Sequence, residues 1–198
     1  MNNVVGHVTA VNFLLSVVGL LSNSLKTAIT NNDFFLDPTD LYIKKQISAA
    51  SGTVKLLDAN TKKLDGVCSF DSDGKMDQNR AAIWNRIVVR YGLGNDGGSP
   101  GGIDYNTAIP KELANADLVI TQKGRLVLRK SVRSLYAKAN ETEAGADHIN
   151  LSSLRLFVDD EDVEINLAFP AGVATAAAGA GTTPFIYVSI DALTTRKR

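Results

Sequence analysis

Asp117-Leu118-Val119-Ile120-Thr121-Gln122-Lys123-Gly124-Arg125-Leu126-Val127-Leu128-Arg129 is the stretch on which the fold turns. Two short apolar runs, Leu118-Val119-Ile120 and Leu126-Val127-Leu128, stand on the two sides of Lys123-Gly124. Short apolar runs bounded by turn residues read as strands. Two residues remain for the connection, and glycine supplies the positive φ that a tight hairpin turn needs. The stretch predicts two antiparallel strands, Asp117 to Gln122 and Arg125 to Arg129, in fixed register.

Working outward, similar short runs recur between clusters of turn residues. Upstream lie Leu41 to Ile47, Thr53 to Leu57, Gly66 to Phe70 and Ala82 to Tyr91; downstream lie Leu154 to Val158, Val163 to Phe169 and Phe185 to Ile190. About nine strands at this spacing predict an all-β antiparallel sandwich. In Ala82 to Tyr91 the expected alternation sets Ile83, Ile87, Val89 and Tyr91 against Trp84, Arg86, Val88 and Arg90. Asp37-Pro38-Thr39-Asp40 reads as a turn. Gly92 to Gly102, with six glycines and one proline, reads as an irregular loop. Ala171 to Pro184 carries no charge, and its small side chains suit close contact with a neighbouring chain as well as a flexible loop.

The N-terminal segment differs in kind. No Asp, Glu, Lys or Arg precedes Lys26, and Thr9, Asn12, Ser16, Gly19 and Asn23 recur at spacings of three and four. That spacing puts them on one stripe of a helix. The rest is apolar, more than one small sandwich needs for docking. The division expected is therefore an arm over residues 1–32 and a sandwich over 33–198. Phe13, Leu14, Val17, Val18, Leu20 and Leu21 are its expected contact residues. Neighbouring protein chains, a bilayer, and a signal or anchor role are the three ways to bury them. A secretory signal fits least, because no Lys or Arg precedes the apolar run.

Composition excludes some functions. The chain has 198 residues, with Lys plus Arg and Asp plus Glu at 21 each, so no net positive field drives binding to phosphate backbones. Arg196-Lys197-Arg198 is the one local basic cluster placed to touch nucleic acid, and a solvated terminus is its ordinary explanation. Cys68 is the only cysteine, which removes internal disulfides and cysteine zinc clusters; within Val67-Cys68-Ser69-Phe70 it reads as a small buried hydrophobe. His7 and His148 are the only histidines and neither stands beside a nucleophile motif. No enzyme is expected.

Asp71, Asp73 and Asp77 surround Gly74 and could converge oxygens on calcium. The set lacks the third early ligand and the distal glutamate of a calcium loop, and an Asp-Gly turn explains the same residues without metal. The expectation is no cofactor, with calcium at these three residues as the metal alternative. Asp159-Asp160-Glu161-Asp162 is expected at a soluble hairpin tip.

From about Asp40 onward the layout resembles the viral jelly-roll family of virion structural proteins, above all those of bacterial viruses. The residues that carry it are Ala108-Ile109-Pro110 before Glu112 to Leu118, the Lys123-Gly124 hairpin, and the closing strand Phe185 to Ile190 with its basic tail. The resemblance implies a single jelly roll in a capsid or coat protein located in the virion. Its partners would be copies of itself, other virion proteins and an internal membrane reached by the arm. The rival expectation is a carbohydrate-binding or adhesion sandwich, with Trp84 and Tyr91 as its candidate platform.

Overall fold

A computed structural model describes residues 6–47, 51–95, 97–137, 148–174 and 181–198. Eight strands form two four-stranded antiparallel sheets: β1 Phe34–Gln46, β2 Thr53–Leu57, β3 Ala82–Asn95, β4 Asp117–Gln122, β5 Arg125–Ser131, β6 Ile149–Phe157, β7 Val163–Ala168 and β8 Thr182–Lys197. One sheet runs β1-β8-β3-β6 and the other β2-β7-β4-β5. The first strand thus pairs with the last, β2 with β7, β3 with β6 and β4 with β5. This nested pairing wraps one long hairpin into a sandwich, and it defines a jelly roll. The expected fold class is therefore observed, with eight strands among the described residues where about nine were expected.

The β4–β5 hairpin has the expected limits at its turn. Lys123 at φ 47° and Gly124 at φ 73° are both left-handed, as a two-residue turn requires. Gln122, almost wholly buried, ties this hairpin to the end of β6: its Nε2 donates to the Val158 carbonyl at 2.8 Å and its Oε1 accepts from the Val158 N–H at 2.8 Å.

Three expectations are corrected. Gly66 to Phe70 is no strand; it lies along the free edge of β1, where Lys44 N–H donates to the Val67 carbonyl and Ser69 N–H to that of Tyr42. Asp37-Pro38-Thr39-Asp40 is strand interior, because β1 is an edge and Pro38 faces a side that needs no donor. The strand β3 runs on through Gly92 and Gly94 to Asn95. Glycine is required at position 92, where a Cβ would meet the Asp104 backbone carbonyl oxygen at 2.4 Å; at Gly94 a Cβ would meet the movable Ile103 Cδ1 at 2.2 Å.

The alternation within β3 is also corrected. A register shift between Trp84 and Arg86 places Ala192 opposite Trp84 and Asp191 opposite Arg86. Such a bulge reverses the facing of the residues before it. Trp84 therefore points into the main core, its ring centroid 5.2 Å from that of Phe157, while Ile83 faces outward.

That outward face bears a second apolar cluster, and the arm covers it. The helix α1, His7–Val17, is followed by a 3₁₀ turn at Val18–Leu20 and by α2, Asn23–Thr30. Ala10, Leu14, Leu21, Leu25 and Ile29 pack against Phe34, Leu36, Ile83, Val158 and Leu193. Eleven residues are too few for a helix stable alone, so α1 depends on this docking. Each fully buried leucine contributes about 2 kcal/mol.

Candidate functional site

The polar stripe of the arm faces solvent at Thr9, Asn12, Ser16, Gly19 and Asn23, as a solvent edge would. The apolar side divides. Leu14 and Leu21 are buried by the chain's own sandwich, and Phe13 and Val18 pack partly against the same cluster. Val17 is half-buried. Of the six expected contact residues, Leu20 alone is strongly exposed, at 50%. Sequence reasoning did not single out Val8, 73% exposed, or Leu15, 51%. Seven residues apart, they share one edge of α1.

Leu20 opens onto a groove of about 250 Å³ between the two edge strands β5 and β6, lined by Leu126, Val127, Leu154 and Leu156 with Arg125 and Arg155 beside them. Leu126 is 63% exposed. Val8, Leu15, Leu20 and Leu126 thus supply exposed apolar side chains to the arm and to the groove at its end. Among the described residues, no helix is long and apolar enough to cross a membrane. The 3₁₀ turn and the new helix at Asn23 divide the apolar run, so α1 spans about 16 Å at 1.5 Å per residue.

Asp159 is a clasp for the arm, which corrects the expected soluble tip. It is 2% exposed and accepts from Ser22 N–H, Ser22 Oγ–H and Asn79 N–H. Ser22 in turn caps α2 by accepting from Leu25 N–H. Glu161 pairs with Lys123 and Arg125, and Asp162 with Lys75. Asp71 turns toward Lys63 at 2.9 Å and Arg80 at 3.8 Å. Asp73 is exposed at φ 69°, and the Asp77 carboxyl is held above the usual range by burial and by its hydrogen bond with Asp71. Among the described residues, no group of three His, Cys, Asp or Glu side chains is gathered as metal ligands.

Cys68 is buried, which pushes its thiol pKa up. His7 is exposed at the start of α1. His148 lies on the outer sheet face with Nε2 3.3 Å from Ser189 Oγ, beside the Arg86–Asp191 ion pair; burial lowers its pKa. Ser189 is itself buried. Arg196 belongs to β8 and pairs with Asp37 at 3.0 Å.

Trp84 and Tyr91 both face the core and offer no ring to solvent. A different aromatic group reaches the surface. Tyr42, Tyr105 and Tyr187 cluster on the outer face, with Tyr187 6.3 Å from Tyr42 and 5.5 Å from Tyr105 by ring centroid. Lys44 Nζ stands over all three rings at 5.4 to 5.9 Å, and Arg90 over Tyr187 at 5.7 Å.

Fold and surface together define a jelly-roll sandwich with a clasped helical arm and exposed apolar side chains at Val8, Leu15, Leu20 and Leu126. Comparisons with protein-family models, with curated proteins and with solved structures found no match.

Proposed function

We propose that this chain is a virion structural protein, a capsid or coat component that self-assembles through its jelly roll and helical arm. The observation that carries the proposal is the apolar set left exposed after the arm has docked: Val8, Leu15, Leu20 and, across the groove, Leu126. Such a set is a liability on a free monomer and a contact surface in a lattice. The nested strand pairing supports it further, since jelly rolls serve as capsid domains. Lectins share that architecture, and the inward Trp84 and Tyr91 remove the platform first expected for a sugar-binding module. The proposed partners are copies of the same chain and other virion proteins.

Negative-stain microscopy of the full-length protein at high concentration tests the proposal. Closed shells or sheets are expected, and monomers at every concentration and salt condition would overturn it. Vesicle flotation of the same sample separates lipid contact by these side chains from contact between copies.

A further inference from the structure

A cavity of about 450 Å³ lies at the free edge of β1. Its lining is largely apolar: Ile43, Val67, Cys68 and Pro100 contribute to it, and Leu64, which lines it too, is 59% exposed. The segment that carries these residues is tied down. Lys44 N–H donates to the Val67 carbonyl at 2.8 Å, and Leu64 and Cys68 exchange two backbone hydrogen bonds at 3.1 and 2.8 Å. The loop at residues 58–61, which also borders the cavity, is closed twice: Asp58 N–H donates to Thr61 Oγ at 3.1 Å, and Thr61 N–H to the Asp58 carbonyl at 2.9 Å. The cavity is therefore shaped before any ligand arrives.

Charge sets what such a hollow would hold. Lys45 and Lys62 both line it, and among the described residues neither lies within ion-pair distance of a carboxylate. Lys45 follows Ile43 by two residues in β1 and so shares its side of the strand. Its charge is felt within the cavity: burial pushes the Cys68 thiol pKa up, with Lys63 and Lys45 among the groups that pull it back. Asp58, the one acidic residue of the lining, already accepts from Asn60 N–H and Thr61 Oγ–H through Oδ1. Two ammonium groups against one carboxylate leave a single net positive charge, complementary to one added carboxylate. Lys44 is not counted, because its ammonium stands over the tyrosine rings of the outer face. An apolar hollow with a few convergent polar groups is the ordinary form of a small-molecule site.

We propose that this cavity binds an amphipathic monocarboxylate, with its apolar body on Ile43, Leu64, Val67 and Pro100 and its carboxylate toward Lys45 and Lys62. Covering Leu64 takes apolar surface out of water, and the two lysines supply donors to the head. β1 and β6 are opposite edges of one sheet, so the site is separate from the groove at Leu20 and Leu126 and does not depend on assembly.

Titration of ¹⁵N-labelled full-length protein tests it, with decanoate, decanol and decyltrimethylammonium as probes below their micelle concentrations. Decanoate is expected to shift the amides of residues 43–46 and 58–68, with decanol binding about tenfold more weakly and decyltrimethylammonium leaving them in place. A Lys45→Gln, Lys62→Gln variant should weaken decanoate about tenfold, the lower end for hydrogen bonds to a charged group, and leave decanol unchanged, while Lys45→Arg, Lys62→Arg retains most of the affinity. Leu64→Asp should weaken both. No shift with decanoate, an equal response to decyltrimethylammonium, or full decanoate affinity in the glutamine variant would each overturn the proposal. Flotation with phosphatidylglycerol vesicles without a response to decanoate would overturn it too, and would assign the lysines to a bilayer surface. Both lysines are at least partly exposed, so the variants keep the fold, and the three-probe comparison on the native protein decides in any case.

Discussion

Asp159 and Ser22, 137 positions apart in the chain, meet through two hydrogen bonds: Ser22 N–H donates to Oδ1 at 3.0 Å and Ser22 Oγ–H to Oδ2. This pair fixes where the arm turns from α1 into α2, and it binds the arm to the sandwich beside the end of β6. Asp159→Ala would leave the Ser22 and Asn79 donors without their acceptor. A loss of roughly 3 kcal/mol in unfolding free energy is expected by denaturant titration. Ser22→Ala, which keeps the backbone bond, should cost about 1 kcal/mol. A cost below 0.5 kcal/mol for Asp159→Ala, on the order of an ordinary surface change, would show that the clasp is dispensable.

Leu14 and Leu15 are neighbours with opposite fates, and they separate folding from association. Leu14→Ala removes a fully buried side chain and is expected to cost about 3 kcal/mol. Leu15→Ser, at a half-exposed position, should change stability by about 0.5 kcal/mol or less. Thermal unfolding of the two variants checks the contrast, and equal losses would contradict the docked orientation of α1.

Protonation of His148 should weaken the fold. Its folded pKa lies below the ordinary 6.5, chiefly through burial, with Asp191 and Asp40 opposing the shift and Arg86 and Arg90 adding to it. The unfolded chain therefore binds the proton first as pH falls. Stability is fully present above 6.5 and declines as pH drops from 6.5 toward the folded value. His148→Gln should flatten that part of the profile in chemical denaturation at stepped pH. An unchanged slope would assign the loss to carboxylates instead.

Gly92→Ala tests the packing of the Ile103-Asp104 segment against β3. The added carbon would stand 2.4 Å from the Asp104 carbonyl oxygen, a backbone atom that cannot rotate away. Displacement of the segment and a loss of about 2 kcal/mol are expected. Amide shifts confined to residues 92–105 with stability unchanged would instead show that the segment relaxes at little cost.

The hairpin at Lys123-Gly124 was legible because two turn residues join two short apolar runs, but its register was legible only beside the turn: a bulge between Ile120 and Thr121 sets Leu128 opposite Ile120. The bulge at Asn85 was not, since an extra residue in one strand leaves no mark in the alternation of Ile83 and Trp84. Reading Asp37-Pro38-Thr39-Asp40 as a turn failed for a related reason: whether a proline interrupts a strand depends on whether that strand is an edge, which only the topology decides. Asp159 looked solvated among its acidic neighbours, because nothing local announces that Ser22 and Asn79 donate to it. Lys44, Tyr187 and Arg90 come from three strands whose order the sequence did not contain. Their only local trace is the alternation that puts Tyr42 with Lys44, and Tyr187 with Ser189, on one face. The arm's apolar excess was legible, but which leucines it spends on its own sandwich was not.

Sedimentation velocity across a concentration series, comparing the native chain with a Leu15→Ser, Leu20→Ser variant, tests self-assembly most directly. The native chain should rise in mass with concentration, and the variant should require at least about tenfold more protein to do so, while both unfold at similar temperatures. A native chain that stays monomeric throughout, or a variant that assembles like the native chain, would contradict assembly through these side chains.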